Sequence, residues 1–152
     1  MLYTGPARPL LRAWKERGLR PIGTLAAEIV ATRVVRPTGD VITPVPPDPV
    51  RQLARGRHPA VDLAKALAPA WGLEPARLLE RTATGRRQTG LGRSARSGNV
   101  RNAFRTVARV PAHVVLVDDV YTTGATASAA ATALRRGGAA SVQVVTFART
   151  VR

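Results

Sequence analysis

Residues 114–126 constrain the fold more than any other stretch, because they join a hydrophobic strand to a polar turn and then to a helix. The run begins with Val114, Val115, Leu116 and Val117, four consecutive apolar residues of which three are β-branched. This pattern is typical of a strand buried on both faces in a parallel sheet. An alanine-rich segment from Ala127 to about Arg136 follows. The sequence therefore predicts a strand–turn–helix unit in an α/β protein.

The turn between that strand and that helix has the composition of an anion-binding loop with acids at its edge. It contains, in order, Asp118, Asp119, Val120, Tyr121, Thr122, Thr123, Gly124, Ala125 and Thr126. Backbone N–H groups converge at a helix N-terminus, where the helix dipole is positive. Two carboxylates would repel a bare phosphate, but they suit a ligand with hydroxyl groups and a divalent cation. Ribose 5-phosphate with Mg²⁺ fits this description, and the alternative is an ordinary Rossmann-like βα turn with two surface acids.

The same run resembles the PRPP-binding motif of type I phosphoribosyltransferases, where PRPP is 5-phosphoribosyl-1-pyrophosphate. In that motif two acids follow a hydrophobic strand and precede a Thr/Ser-Gly-x-Thr loop. The resemblance implies that Asp118 and Asp119 hold the ribose hydroxyls and the metal, Mg²⁺, and that they are the catalytic pair. It also implies a 5-phosphate site formed by Thr122, Thr123, Gly124, Ala125 and Thr126.

The rest of the chain alternates between helical and extended patterns. Helices are predicted over residues 9–18, 24–34 and 60–71, and strands at 41–43, around 78–79, at 104–107 and at 143–147, with a stop at Gly137-Gly138 after the alanine-rich helix. This order predicts an open, mostly parallel sheet flanked by helices, of the type I phosphoribosyltransferase kind, with ligands at the carboxyl ends of its strands. One domain is expected overall, with a helical segment (1–40) packed on a phosphoribosyltransferase-like domain (41–152).

The wider sequence resembles the ComF/GntX type of phosphoribosyltransferase, the competence protein F family. The matching residues are Thr43-Pro44-Val45-Pro46, Arg51, Arg55-Gly56, Asp62-Leu63-Ala64, Arg81, Thr84, Gln88, Leu91, Arg96, Asn99 and Phe104. The resemblance implies a pyrophosphate loop at Val45 and Pro46 with Arg51 and Arg55, and a flexible loop with Arg81 and Gln88. The chain departs from the family at His58-Pro59, where Asn-Gln is usual, and it lacks the N-terminal four-cysteine zinc module.

The formal net charge of +15 comes almost entirely from arginine, since Lys15 and Lys65 are the only lysines. Such a surplus favours polyanionic partners, either nucleic acid or pyrophosphorylated substrates. The alternative is the compositional bias of a GC-rich genome. No nucleic-acid-binding motif is visible, so any such binding is expected to be weak and non-specific.

The absence of cysteine excludes disulfides and thiolate metal sites and suits a cytoplasmic protein. No apolar run is long enough to cross a membrane, and the first residues do not read as a secretory signal. His58 is a candidate acid or base, although an inert surface role is the simpler interpretation. His113 is expected to be structural.

Together these features predict an Mg²⁺-dependent phosphoribosyltransferase that uses PRPP and an unknown acceptor. Assembly of two copies of the chain into a homodimer would be compatible with the resemblance. Thr122 stands where 6-oxopurine phosphoribosyltransferases carry an acid that acts on the base, which argues against hypoxanthine or guanine as acceptor. The loop at 82–98 is the candidate lid. The alternatives are a non-catalytic PRPP-binding regulator and an accessory protein of DNA uptake.

Overall fold

Four helices and six strands make up the part of the chain that the computed structural model describes, which is residues 7–17, 20–47, 58–82 and 103–150. Residues 83–98 of the lid candidate (82–98) lie outside it, as do Arg51, Arg55 and Gln88. The elements in chain order are α1 (Ala7–Arg17), α2 (Arg20–Arg33), β1 (Val41–Pro44), α3 (Pro59–Trp71), β2 (Glu74–Pro75), β3 (Leu79–Arg81), β4 (Phe104–Thr106), β5 (His113–Tyr121), α4 (Ala125–Arg136) and β6 (Ser141–Arg149).

The main sheet has the strand order β2-β1-β5-β6, and each of its pairs is parallel. Val41 to Pro44 of β1 pair with Val114 to Val117 of β5. Strands β3 and β4 form a separate antiparallel pair. The predicted α/β class with a mostly parallel sheet flanked by helices is confirmed.

Residues 114–117 of strand β5 are apolar without interruption because both faces of this part of the strand are covered. Val115 and Val117 belong to a core cluster with α1, α2 and α3. Val114 and Leu116 belong to a second cluster with α4 and the β3–β4 pair. Neither face of residues 114–117 meets solvent, so this part of the strand shows no alternation with polar residues.

The helix boundaries follow from their proline and glycine residues. Helix α3 begins at Pro59, whose missing N–H removes no hydrogen bond because the first N–H groups of a helix have no intrahelical partner. The helix ends at Trp71, and the following Gly72, with a φ of 59°, caps it through bonds to two helix carbonyls. Pro21 likewise lies in the first turn of α2, which starts four residues before the predicted Thr24. Helix α4 starts at Ala125, two residues earlier than predicted, directly after Gly124.

The N-terminal helices pack on the same core as the sheet. Trp14 of α1 is 1% exposed, and its ring lies edge-on to that of Phe147 on β6, with 6.2 Å between the centroids. Its indole N–H donates to Oδ2 of Asp62 on α3 at 3.4 Å. One tryptophan thus joins α1 to β6 and to α3.

We therefore expect Trp14→Ala to lower the free energy of unfolding by about 3–5 kcal/mol, because it leaves a cavity and removes the indole donor. Trp14→Phe should cost less, since it keeps a ring at this position. Chemical denaturation followed by circular dichroism measures both. Val35→Ala, at a side chain that is 91% exposed, is the control and should change stability by less than about 0.5 kcal/mol. Equal stability of Trp14→Ala and wild type would mean that α1 is not part of the cooperative core.

Candidate functional site

The carboxyl ends of β1 and β5 lie side by side, which brings the loops that follow them together. The parallel register ends with Pro44 beside Val117, and the Val45 N–H then donates to the Val117 carbonyl at 2.8 Å. Asp118 is the next residue of β5. The Val45–Pro46 segment and the two acids are therefore neighbours, as expected for ligand sites in open α/β sheets.

Asp118 and Asp119 lie at a break in the ladder between β5 and β6. The register runs from His113–Ser141 to Asp118–Thr146 and resumes at Val120–Ala148. Between these pairs, the Asp119 N–H donates to Oδ1 of Asp118 at 2.9 Å. Each aspartate is only 8% exposed. The two carboxyl groups are thus held at a strand end with limited access to water, where electrostatic interactions are stronger than in bulk solvent.

The turn after β5 is fixed at its start by the end of β6. The Thr150 N–H donates to the Tyr121 carbonyl at 2.9 Å, and the Thr150 hydroxyl donates to the Thr122 carbonyl at 3.2 Å. Farther along, the Thr123 hydroxyl oxygen accepts a long bond of 3.4 Å from the Ala125 N–H. Thr122 and Thr123 themselves are exposed, so their side chains are accessible to a ligand.

Gly124 is the residue at which the turn becomes helix. Its φ is 77°, a left-handed conformation that favours glycine. Its carbonyl accepts the first intrahelical bond, from the Ser128 N–H at 2.8 Å. The N–H groups of Thr126 and Ala127 precede that bond, and Gly124 provides no side-chain cap. The start of α4 therefore presents backbone donors at the end of the turn that follows the two acids, and its first turn contains no acid.

Tyr121 lies against this glycine. A Cβ atom at Gly124 would stand 2.2 Å from the Tyr121 hydroxyl oxygen and 2.6 Å from its Cζ. Tyr121 is 43% exposed, so its ring covers the glycine on one side and meets solvent on the other. The sequence alone did not predict this contact between Tyr121 and Gly124.

The pyrophosphate-loop and flexible-loop residues are only partly placed. Val45 is 2% exposed, and the half-buried Pro46 accepts a hydrogen bond from Nε of Arg81 at 3.1 Å. Arg81, a predicted residue of the flexible loop, is the last residue of strand β3. Arg51, Arg55 and Gln88 fall outside the described residues, so their roles stay predictions.

A cleft of about 860 Å³ opens beside the Pro46 segment, on the side of α3 and β2. Its walls include His58, Lys65, Arg77 and Arg81. His58 is the N-cap residue of α3 and makes no side-chain cap bond there. The cleft is large enough for a small organic ligand, and its lining does not include the two aspartates.

Two threonines that anchor the site were missed from the sequence. Thr43 is fully buried, and its hydroxyl oxygen accepts a 3.3 Å bond from the Leu78 N–H, which ties β1 to the start of β3. Thr150 ties the end of β6 to the turn after β5. Neither has a local signal, because each bonds a residue at least 28 positions away.

Among the described residues there is no group of three or more His, Cys, Asp or Glu side chains that could hold a metal ion. Within the same residues, every helix is too short or too polar to cross a bilayer.

Comparison with known proteins identifies the family through its relatives, since no family model matches the chain. The DNA utilization protein YhgH of Salmonella typhi is 35% identical over 161 residues, a match that covers 98% of this chain and 70% of the relative.

Two solved structures share the fold. An allosteric regulatory enzyme of purine biosynthesis matches with a TM-score of 0.56 and 26% identity, and the glutamine PRPP amidotransferase from B. subtilis, complexed with ADP and GMP, matches with 0.59 and 24%. Each match covers 82% of this chain but only about a quarter of the other (25% and 26%). The chain has the type I phosphoribosyltransferase fold, and it belongs to the family of the DNA utilization protein YhgH.

Proposed function

We propose that this chain binds PRPP together with Mg²⁺ and transfers its phosphoribosyl group to an acceptor that is still to be identified. The observation that carries the proposal is that Asp118 and Asp119, each 8% exposed, stand near the end of β5 and are followed by the turn that leads through Gly124 into α4, whose first turn contains no acid. Acids and anion donors side by side suit a ligand that is both a phosphate and a polyol. Membership of the ComF/GntX type is part of the same proposal.

The ligand would divide its groups among three segments of the chain. The 5-phosphate would take the backbone donors of residues 122–126, and the ribose hydroxyls would donate to Asp118 and Asp119. The pyrophosphate would lie by Val45 and Pro46, and the guanidinium groups of Arg51 and Arg55 would pair with its oxygens. The hydrogen bond between Val45 and Val117 supports this division, because it sets the Val45–Pro46 segment beside the residue that precedes Asp118.

Two carboxylates fit the way in which proteins bind magnesium. Mg²⁺ keeps several of its waters and takes one or two carboxylates plus oxygens of a phosphorylated substrate, so a larger protein cage is not needed. Asp118 and Asp119 would supply those carboxylates. When bound, the ion would contribute positive charge to the pyrophosphate leaving group.

In the transfer, the acceptor forms a bond to the anomeric carbon of the ribose while the bond from that carbon to the pyrophosphate oxygen breaks. The electron pair leaves with the pyrophosphate, and the sugar passes through an oxocarbenium-like cation. Aspartate carboxylates near the cationic sugar lower the energy of this state, and fixed loops hold donor and acceptor in line. This chain would therefore act mainly through positioning and electrostatics.

A non-catalytic role in DNA uptake is the second candidate. It is favoured by the printed name of the Salmonella typhi relative, a DNA utilization protein, and by the net charge of +15. In this role PRPP would be a regulatory ligand. Release of pyrophosphate from PRPP with a panel of nucleophilic acceptors distinguishes the enzyme from the regulator.

Asp119→Asn should weaken PRPP binding in the presence of Mg²⁺ at least tenfold, which is about 1.4 kcal/mol. The amide is similar in size to the carboxylate but carries no charge for a metal or for ribose hydroxyl donors. Isothermal titration calorimetry with PRPP and Mg²⁺ measures the change.

The matched control is Glu74→Gln, which removes an exposed acid at the opposite, amino end of the sheet. It should leave PRPP affinity within about twofold of wild type. Normal folding and unchanged affinity in Asp119→Asn would refute the assignment of the acids.

Gly124→Ala should weaken ribose 5-phosphate binding at least about tenfold, because a left-handed φ strains alanine by about 1–2 kcal/mol and its Cβ crowds the loop. The double variant Tyr121→Ala with Gly124→Ala removes the contact between tyrosine and Cβ but keeps the backbone strain. Its affinity should therefore stay low, whereas Tyr121→Ala alone should bind within a few-fold of wild type. Full recovery in the double variant would show that the glycine serves only to accommodate the tyrosine.

Binding to duplex DNA should be non-specific and should fade between low and physiological salt. A patch that contacts about four phosphates would give a slope of roughly −3.6 in a plot of log K against log salt concentration. Fluorescence anisotropy with labelled duplexes of unrelated sequence measures the slope. Sequence-selective binding that survives physiological salt would favour the regulator over the enzyme.

A further inference from the structure

Two specific contacts fix the position and the orientation of the Arg81 side chain on β3. Its Nε donates to the Pro46 carbonyl at 3.1 Å, and its Cζ lies 4.7 Å from the centroid of the Phe104 ring. Phe104 is its direct cross-strand partner and is 6% exposed. A guanidinium that is both stacked on a ring and hydrogen-bonded has few other side-chain conformations open to it.

The Val45–Pro46 segment, which Arg81 contacts, has few other backbone hydrogen bonds available to it. Pro46 and Pro47 have no N–H group, so the chain after β1 cannot continue the sheet ladder through them. The Val45 N–H bonds the Val117 carbonyl on one side. The Arg81 guanidinium bonds the Pro46 carbonyl on the other. The loop is thus fixed between β5 and the β3–β4 pair.

The β3–β4 pair is itself well fixed. The Leu78 N–H donates to the Thr43 hydroxyl, the Val107 N–H donates to the Leu78 carbonyl at 3.0 Å, and the Thr82 N–H donates to the Ala103 carbonyl at 3.0 Å. Arg81 therefore connects the β3–β4 pair to the Val45–Pro46 segment. A change at this residue is expected to move the Pro46 segment and to leave the strands in place.

We propose that Arg81 is a positioning residue that sets the Val45–Pro46 loop for the pyrophosphate end of the ligand and does not act on its 5-phosphate end. The inference rests on the proposed function. It predicts a selective effect: loss of the Arg81 contact should weaken PRPP binding, while ribose 5-phosphate, which lacks the pyrophosphate, should bind as before.

The test measures the affinities of both ligands, with Mg²⁺, for wild type, Arg81→Gln and Arg81→Lys. PRPP should bind about five- to tenfold more weakly to Arg81→Gln, the effect of one lost hydrogen bond of about 1 kcal/mol or slightly more. Arg81→Lys keeps the charge but not the stacked planar group, and it should recover only part of the loss. Ribose 5-phosphate affinity should stay within about twofold throughout.

Two further variants separate positioning from charge and from direct phosphate contact. Arg77→Gln removes a cation that lines the same cleft and should leave the affinity ratio of the two ligands unchanged. Phe104→Leu keeps Arg81 and an apolar core residue but removes the ring beneath the guanidinium, and it should weaken PRPP selectively. The salt dependence of PRPP binding should be the same in Arg81→Gln as in Arg77→Gln, since neither guanidinium would touch a phosphate.

An unchanged ratio of PRPP to ribose 5-phosphate affinity in Arg81→Gln would overturn the inference, as would full recovery by Arg81→Lys together with no effect of Phe104→Leu. If the wild-type protein binds both ligands equally, the loop contributes nothing to pyrophosphate binding and the inference is wrong while the 5-phosphate site stands. Binding of neither ligand by wild type would overturn the proposed function itself.

Discussion

The parallel pairing of β1 with β5 is the constraint on which the rest of the site depends. It brings the proline-rich segment after Pro44 to the same edge as Asp118, although 73 residues separate them. Because β5 lies between β1 and β6, its end can also be held by Thr150 at the end of β6. A shift of β5 by one residue would exchange the residues that face its two core clusters. The burial of those clusters therefore fixes the position of the acids as well.

The segments that form the site are conformationally restricted before any ligand binds. The turn after β5 is tied at its start by Thr150 and at its end by the first bond of α4, from the Ser128 N–H to the Gly124 carbonyl. The segment after β1 is stiffened by prolines and held by Val117 and Arg81. Groups that are already in place lose little entropy when a ligand binds, which leaves more of the interaction energy for affinity and catalysis.

The sequence predicted the elements better than it predicted the contacts between them. Strand β5 and the alanine-rich helix could be predicted from the sequence, because an apolar run, a polar turn and a glycine at the helix end are local patterns. The start of α2 was placed four residues late, since Pro21 in a first turn looks the same as a loop proline. The bonds made by Thr150 and Arg81 could not be read at all, because they depend on strand order and register. The Tyr121–Gly124 contact is close in sequence, but it depends on the path of the turn.

The strongest physical argument for a ligand at the end of β5 is how this chain distributes its few acids. Only nine of 152 residues are Asp or Glu, against 24 Lys and Arg, yet two of the nine are adjacent and each is 8% exposed. Neighbouring carboxylates repel one another, and burial strengthens that repulsion. A fold that needed only a strand end at this position could use neutral residues at lower cost. Under the proposed function, the pair would hold a metal and hydroxyl groups, and the amide donors at the start of α4 would bind a phosphate.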